Sequence, residues 1–225
     1  MKTAALLLTL LATRILAEPV RYFGYAGIAC ALDDPHDTTS RNDYIDEVAG
    51  FTNLNQVCLS PDPKVTADRL ARMAKAGAIS LLNVEPVLFT QSGQGLVPNP
   101  DRATLWPLVT EAIRQSGVAP GGIIFYLVDE PTLRHLPPEA LSEQLVLMMD
   151  AMHTPVHQDQ GISQSDMAGV ARSYLKLAQD RGDVAAIIAY SWAGGIDNTG
   201  ERGVRDLPGP VQDAHRKIGR LLLWR

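Results

Sequence analysis

Six short apolar runs, each closed by turn residues, alternate along the chain with segments whose apolar residues recur every three to four positions. The runs predict strands at Tyr22–Ile28, Leu54–Ser60, Ala78–Val84, Gly122–Val128, Leu145–Asp150 and Val184–Ser191. The intervening segments predict helices at Tyr44–Ala49, Val65–Ala76, Leu105–Ser116, Ser163–Arg181 and Val211–Leu222. In the second helix Leu70, Met73 and Ala74 share one face, while Asp68, Arg69, Arg72 and Lys75 decorate the other, and Gly77 sits where a C-terminal glycine belongs. Strand–helix alternation of this kind is the pattern of a parallel sheet with crossover helices, an α/β fold. The run Ile123–Val128 is continuously apolar and calls for burial on both faces. Two stretches, Phe89–Arg102 and Met152–Ile162, read as long irregular loops, each following a strand end.

The N-terminus reads as an address rather than as part of the fold. Lys2, the apolar run Ala4–Ala12 and the small residue Ala17 before Glu18-Pro19 have the form of an export signal over residues 1–17. The run is too short to span a bilayer, and no other stretch is long and apolar enough. The alternative is a hydrophobic N-terminal helix. With the signal removed, residues 18–225 form one predicted domain, secreted or periplasmic, of 208 residues (225 − 17). Two cysteines, Cys30 and Cys58, fall at the ends of the first two strands; a bridge between them and two buried thiols are both open.

Composition narrows the function. The chain is 46% hydrophobic and 20% charged, with a net charge of -5, so it lacks the clustered basic residues that grip phosphate backbones, and no nucleic-acid partner is expected. The carboxylates concentrate after strand ends. Asp33-Asp34-Pro35-His36-Asp37 follows the first strand, and Asn83-Val84-Glu85-Pro86 ends the third. Asp129-Glu130-Pro131 follows the fourth, Asp150 ends the fifth, and Tyr190-Ser191-Trp192 ends the last. Barrel enzymes hold their catalytic groups on that rim.

The Asp129-Glu130-Pro131 motif after an apolar strand, with Tyr190-Ser191-Trp192 on the last strand, resembles secreted glycoside hydrolases of the (β/α)8-barrel type. The large retaining clan of that type carries Asn-Glu-Pro after strand four and often a sugar-stacking Trp at the end of its last strand. The resemblance implies a TIM-barrel-like fold, Glu130 as proton donor and Trp192 as a platform for a sugar ring. Asp129 stands where that clan has Asn, and no Glu follows a late strand, so the second carboxylate falls to Asp150. Glu85, Asp129, Asn83 and Tyr190 would bind the substrate's hydroxyls. A glycosidic bond needs two such carboxylates, about 5–5.5 Å apart for retention or about 6.5–9.5 Å for inversion. Each has a structural alternative: Glu130 and Glu85, both followed by Pro, as helix-start carboxylates, and Asp150 as a loop-start carboxylate.

Two other functions compete with the hydrolase. One is a non-catalytic carbohydrate-binding or degenerate barrel. The other is a metal-assisted hydrolase in which the Asp33–Asp37 loop, with His36, Glu85 and Asp129, holds a divalent ion. His153 and His157 have no defined partner in the sequence. No cofactor is implied: the chain has no phosphate-binding glycine loop, Cys/His zinc pattern or Gly-x-Ser-x-Gly elbow. The oligomeric state is left open. Length sharpens the fold expectation, because eight βα units usually take about 250 residues and only six strands are legible. In the family it resembles, the last two would be strands seven and eight, so two units are missing between Pro131 and Gln144. The expectation is a shortened, incompletely closed barrel.

Overall fold

All six apolar runs become parallel strands, and the amphipathic segments become the helices that cover them. The computed structural model describes residues 20–31, 34–37, 41–92, 95–127, 145–180, 184–194 and 200–223. The predicted signal peptide, Asp33, the Asp129-Glu130-Pro131 motif and the segment Pro131–Gln144 lie outside the described residues. The strands are β1 (Tyr22–Tyr25), β2 (Leu54–Cys58), β3 (Ile79–Asn83), β4 (Phe89–Ser92), β5 (Gly95–Pro98), β6 (Ile123–Tyr126), β7 (Leu145–Asp150) and β8 (Val184–Tyr190). The helices are α1 (Ile45–Val48), α2 (Pro63–Lys75), α3 (Glu85–Leu88), α4 (Arg102–Ser116), α5 (Pro155–Asp159), α6 (Met167–Asp180) and α7 (Gly209–Leu223).

Local chemistry explains where the elements begin and end. Helix α2 starts two residues earlier than its apolar period, because Pro63 suits the first helical position and the Asp62 carboxylate accepts from the Lys64 N–H at 2.9 Å. It stops at Gly77, whose φ of 79° favours glycine. Two predictions are corrected. Phe89–Arg102 is not an irregular loop: residues 89–98 form the antiparallel hairpin β4–β5, whose four-residue strands are too short to show an alternating pattern. Met152–Ile162 contains α5, opened by Thr154 and Pro155.

Strands β1, β8 and β7 form one parallel sheet, and β2, β3 and β6 another. The two meet where β1 passes β2, at a single parallel bridge, Ala29 to Val57. The spatial order of the parallel strands is therefore β7-β8-β1-β2-β3-β6. The fold is mixed α/β with parallel sheets, and among the described residues it is not a closed barrel. Among the described residues β6 and β7 are the outermost of these strands.

At the β1–β2 junction side-chain amides stand in for the missing backbone ladder. Oδ1 of Asn53 accepts from the Phe23 N–H at 2.8 Å, Oδ1 of Asn55 from Tyr25 at 3.0 Å, and Oε1 of Gln56 from Gly27 at 2.8 Å. Gly24 lies between them, and a Cβ there would fall 1.4 Å from the Leu54 carbonyl oxygen, so only glycine allows this approach. A disulfide between Cys30 and Cys58 closes the C-terminal end of the junction, which settles the cysteine question in favour of a bridge.

The strand faces divide by period two. One face packs under the helices: Phe23, Tyr25, Val57, Leu82, Met149, Ile187 and Ala189 meet Leu70 and Met73 of α2, Val109 of α4 and Ile218 and Leu222 of α7 in the main core. The other face carries a smaller cluster of Ala26, Leu54, Leu81, Ala186 and Ile188, flanked by Tyr22, Ile79 and Tyr126. No helix among the described residues is long and apolar enough to cross a membrane.

Candidate functional site

The second face leads to the rim. Tyr190 lies two residues beyond Ile188 and is the register partner of Asp150 in the parallel pair β7–β8, so the two side chains leave the same face on adjacent strands. Both are open to solvent, Tyr190 at 53% and the Asp150 side chain at 50%. On the other half of the strand order Asn83, two residues beyond Leu81, pairs in register with Tyr126. Asn83 and Tyr190 are separated by three strand spacings, roughly 14 Å along the sheet. The structure therefore brings Asp150 and Tyr190 together and leaves Asn83 and Glu85 as a separate group. Glu85 opens α3 ahead of Pro86, and its N–H donates to Asn83 Oδ1 at 3.1 Å.

Trp192 is placed differently from the expectation. It is 3% exposed, its ring packs against Tyr25 and Phe51 at centroid separations of 5.2 and 5.6 Å, and its Nε1–H donates to Glu47 Oε2 at 2.7 Å. The chain leaves β8 at Tyr190, and the indole fills the hollow between β1 and α1, where its apolar body is buried and its single donor is satisfied. A ring so enclosed is a core element here, not a rim platform. Of Tyr190 and Trp192, Tyr190 is the exposed one.

The acidic loop after β1 is committed to an internal network. Arg205 reaches Asp34 Oδ2 at 3.4 Å, Asp37 Oδ2 at 3.1 Å and Glu47 Oε2 at 3.1 Å, and lies over the Tyr44 ring. Arg41 bridges Asp37 and Glu47 at 2.7 and 2.8 Å. The Asp34 carboxylate, fully enclosed, also accepts from the N–H groups of His36 and Gly194, both at 2.9 Å. His36 Nε2 donates to the Glu201 carbonyl at 2.9 Å. Burial works against the Arg205 charge, but Glu47, Asp206 and Asp37 outweigh it and hold the guanidinium protonated.

Within this network Asp34 and Asp206 share a carboxyl–carboxyl hydrogen bond. Burial first, then Asp34, pushes Asp206 up to about 7. Burial would also raise Asp34, yet the hydrogen bond from Asp206, the two backbone N–H groups and Arg205 keep it lowered. Asp206 Oδ2 is buried and has no hydrogen-bond partner among the described residues. Of the carboxylates proposed from sequence as metal ligands, Asp34 and Asp37 thus face arginines, while Asp33 and Asp129 lie outside the described residues. Among the described residues no group of three or more His, Cys, Asp or Glu side chains could hold a metal ion.

Asp150 has a partner that sequence reasoning missed. His157, the third residue of α5, places Nε2 3.0 Å from Asp150 Oδ2. Its Nδ1 accepts the Thr154 N–H at 3.2 Å and lies 3.0 Å from Thr154 Oγ1. The local signal was present: Thr154-Pro155 followed by His157 has the spacing of an N-cap, a first-turn proline and a side chain reaching back to the cap. His153 stacks on His157 at 5.9 Å and donates from Nε2 to the Ile162 carbonyl at 2.8 Å. Arg205, Glu47 and Asp206 were missed because their partners lie far away in sequence. No known family model matches the chain, and no curated protein shows significant similarity to it.

Proposed function

We propose that this is an exported carbohydrate-active protein on an interrupted (β/α)8-barrel plan, hydrolysing glycosidic bonds at the C-terminal rim of its parallel strands. The observation that carries this reading is the exposed Asp150 carboxylate beside the exposed Tyr190 ring, on the strand face opposite the main core. A closed eight-stranded barrel has strands seven, eight, one, two, three and four adjacent in that order, and β7-β8-β1-β2-β3-β6 follows the same sequence. Residues 127–144 are too few for two more βα units, which take about 30 residues each. The Cys30–Cys58 bridge favours an oxidising compartment, in keeping with a removable signal over residues 1–17.

In this proposal Glu130, shortly after β6 in the chain, is the acid. The bond from the anomeric carbon to the leaving oxygen breaks with its electron pair going to that oxygen, which takes the Glu130 proton. Asp150 is the second carboxylate, and captures the anomeric carbon directly or removes a proton from the water that does. Tyr190 takes over the ring-stacking role first given to Trp192, and Asn83, Glu85 and Asp129 bind hydroxyls.

The test is turnover of a panel of p-nitrophenyl glycosides and oligosaccharides by the purified protein lacking residues 1–17. Glu130→Gln and Asp150→Asn should each lower kcat at least about 10³-fold with the fold intact. Undiminished turnover in either variant removes that residue from the mechanism. A second reading, sugar binding without hydrolysis, is favoured by the exposed apolar surface of β6, where Ile124 and Phe125 are 39% and 41% exposed. Oligosaccharide binding that is lost in Tyr190→Ala but kept in Glu130→Gln, with no turnover by the parent protein, would select it.

A further inference from the structure

The Asp150–His157 contact has a polarity that the hydrogen bonds settle. A backbone N–H can only donate, so the Thr154 N–H fixes His157 Nδ1 as an acceptor. The Thr154 hydroxyl lies against the same nitrogen and can donate to it as well. The proton of the neutral ring is therefore on Nε2, and Nε2–H donates to Asp150 Oδ2. Neither ring nitrogen is left over for a substrate, so His157 cannot itself act as an acid or base without giving up one of these bonds. It is also a poor candidate for an independent ligand site, with a side chain only 12% exposed and His153 stacked on its face.

We propose that His157 is a positioning residue for Asp150, donating from Nε2 so that the carboxylate is held in one orientation as an acceptor, ready to serve as base or nucleophile and not as acid. The assignment rests on the reading of Asp150 as the second carboxylate of a glycoside site. The support is a chain of contacts running from the N-cap of α5 to the end of β7. Thr154 orients the ring, the ring orients Oδ2 of Asp150, and the half-exposed carboxylate stays on the face shared with Tyr190. Asp150 sits on a half-exposed strand end, where a carboxylate would otherwise sample several rotamers. A fixed donor removes that freedom before substrate arrives, the kind of preorganisation whose loss costs about 10²-fold in rate.

Three measurements decide it. Imidazole 15N spectra, recorded at a pH where the ring is neutral, should show His157 as the Nε2–H tautomer; the Nδ1–H tautomer would overturn the proposal. Crystal structures should find the Asp150 carboxylate displaced or in several conformers in His157→Leu and in its parent orientation in His157→Gln, whose amide can donate from a similar position. An unmoved carboxylate in His157→Leu would also overturn it. On whichever glycoside of the panel is turned over, His157→Leu should lose about 10²-fold in kcat with KM unchanged, and His157→Gln should recover most of it. Equal losses in both variants would mean that His157 only caps α5. If the parent protein turns over no glycoside, the hydrolase reading fails, while the tautomer and the Asp150 orientation still decide the role of His157.

Discussion

Replacing His215 by asparagine should flatten the acid side of the stability curve. His215 lies on α7, is 1% exposed, and makes a 2.9 Å hydrogen bond between its Nδ1 and the Tyr25 hydroxyl, inside a cluster with Phe23. Burial pushes its pKa down to about 3, against about 6.5 in an unfolded chain. Between these values the unfolded state binds a proton that the folded state refuses, so stability falls as pH drops below about 6.5 and levels off only near 3. Linkage puts the loss from this one group at about 2 kcal/mol at pH 5 and about 3 kcal/mol at pH 4, relative to pH 8. Asparagine offers Tyr25 a hydrogen-bonding atom in place of Nδ1 but does not titrate. It will lower stability at every pH by leaving a small cavity, and that constant offset does not bear on the test. Urea unfolding at pH 8, 6, 5 and 4, with the m-value held common, gives the profile for each protein. The gap between them should narrow by about 2 kcal/mol from pH 8 to pH 5. Parallel profiles over that range would refute the buried neutral imidazole.

Asp206 should act in the opposite direction. Its folded pKa is raised to about 7, so the folded state holds an extra proton between the unfolded carboxylate value and about 7, and stability is lost as pH rises through that window. Asp206→Asn should therefore gain on the parent between pH 6 and pH 8, a difference readable in the same urea titrations. Reducing the Cys30–Cys58 bridge, or replacing both cysteines by serine, should cost about 3.5 kcal/mol on chain entropy for a sequence separation of 28, measured by denaturation with and without reductant. Gly24→Ala should be far more damaging than any surface change, because its Cβ would meet the Leu54 carbonyl oxygen at 1.4 Å. A melting temperature within a few degrees of the parent would show that β1 and β2 can move apart.

Most strands and the main helices were legible because they bury a continuous or periodic apolar face; β6 does not fit its expectation of burial on both faces, since Ile124 and Phe125 are 39% and 41% exposed. The hairpin β4–β5 was not legible, because Thr90, Gln91 and Ser92 pair through their backbones and bury little. At the site the sequence placed Asp150 and Tyr190 at strand ends, where the structure also has them. It could not tell which way Trp192 turns, because a rim aromatic and a core aromatic look alike until the Glu47 carboxylate is seen waiting for the indole N–H. The Asp34–Asp206–Arg205 network was beyond reach for a different reason: Asp34 and Arg205 are 171 residues apart, and no local pattern links them.

The Cys30–Cys58 bridge also makes residues 30–58 a covalent ring. That ring contains Asp34, Asp37, Tyr44 and Glu47, while Arg205, the cation they surround, lies outside it. A protease that cuts anywhere within residues 31–57 leaves two pieces still joined, so the nick is silent on a non-reducing gel and appears only when thiol is added. For a protein that meets proteases, the most acidic loop of the chain is thereby allowed to be cleaved without its ends being lost.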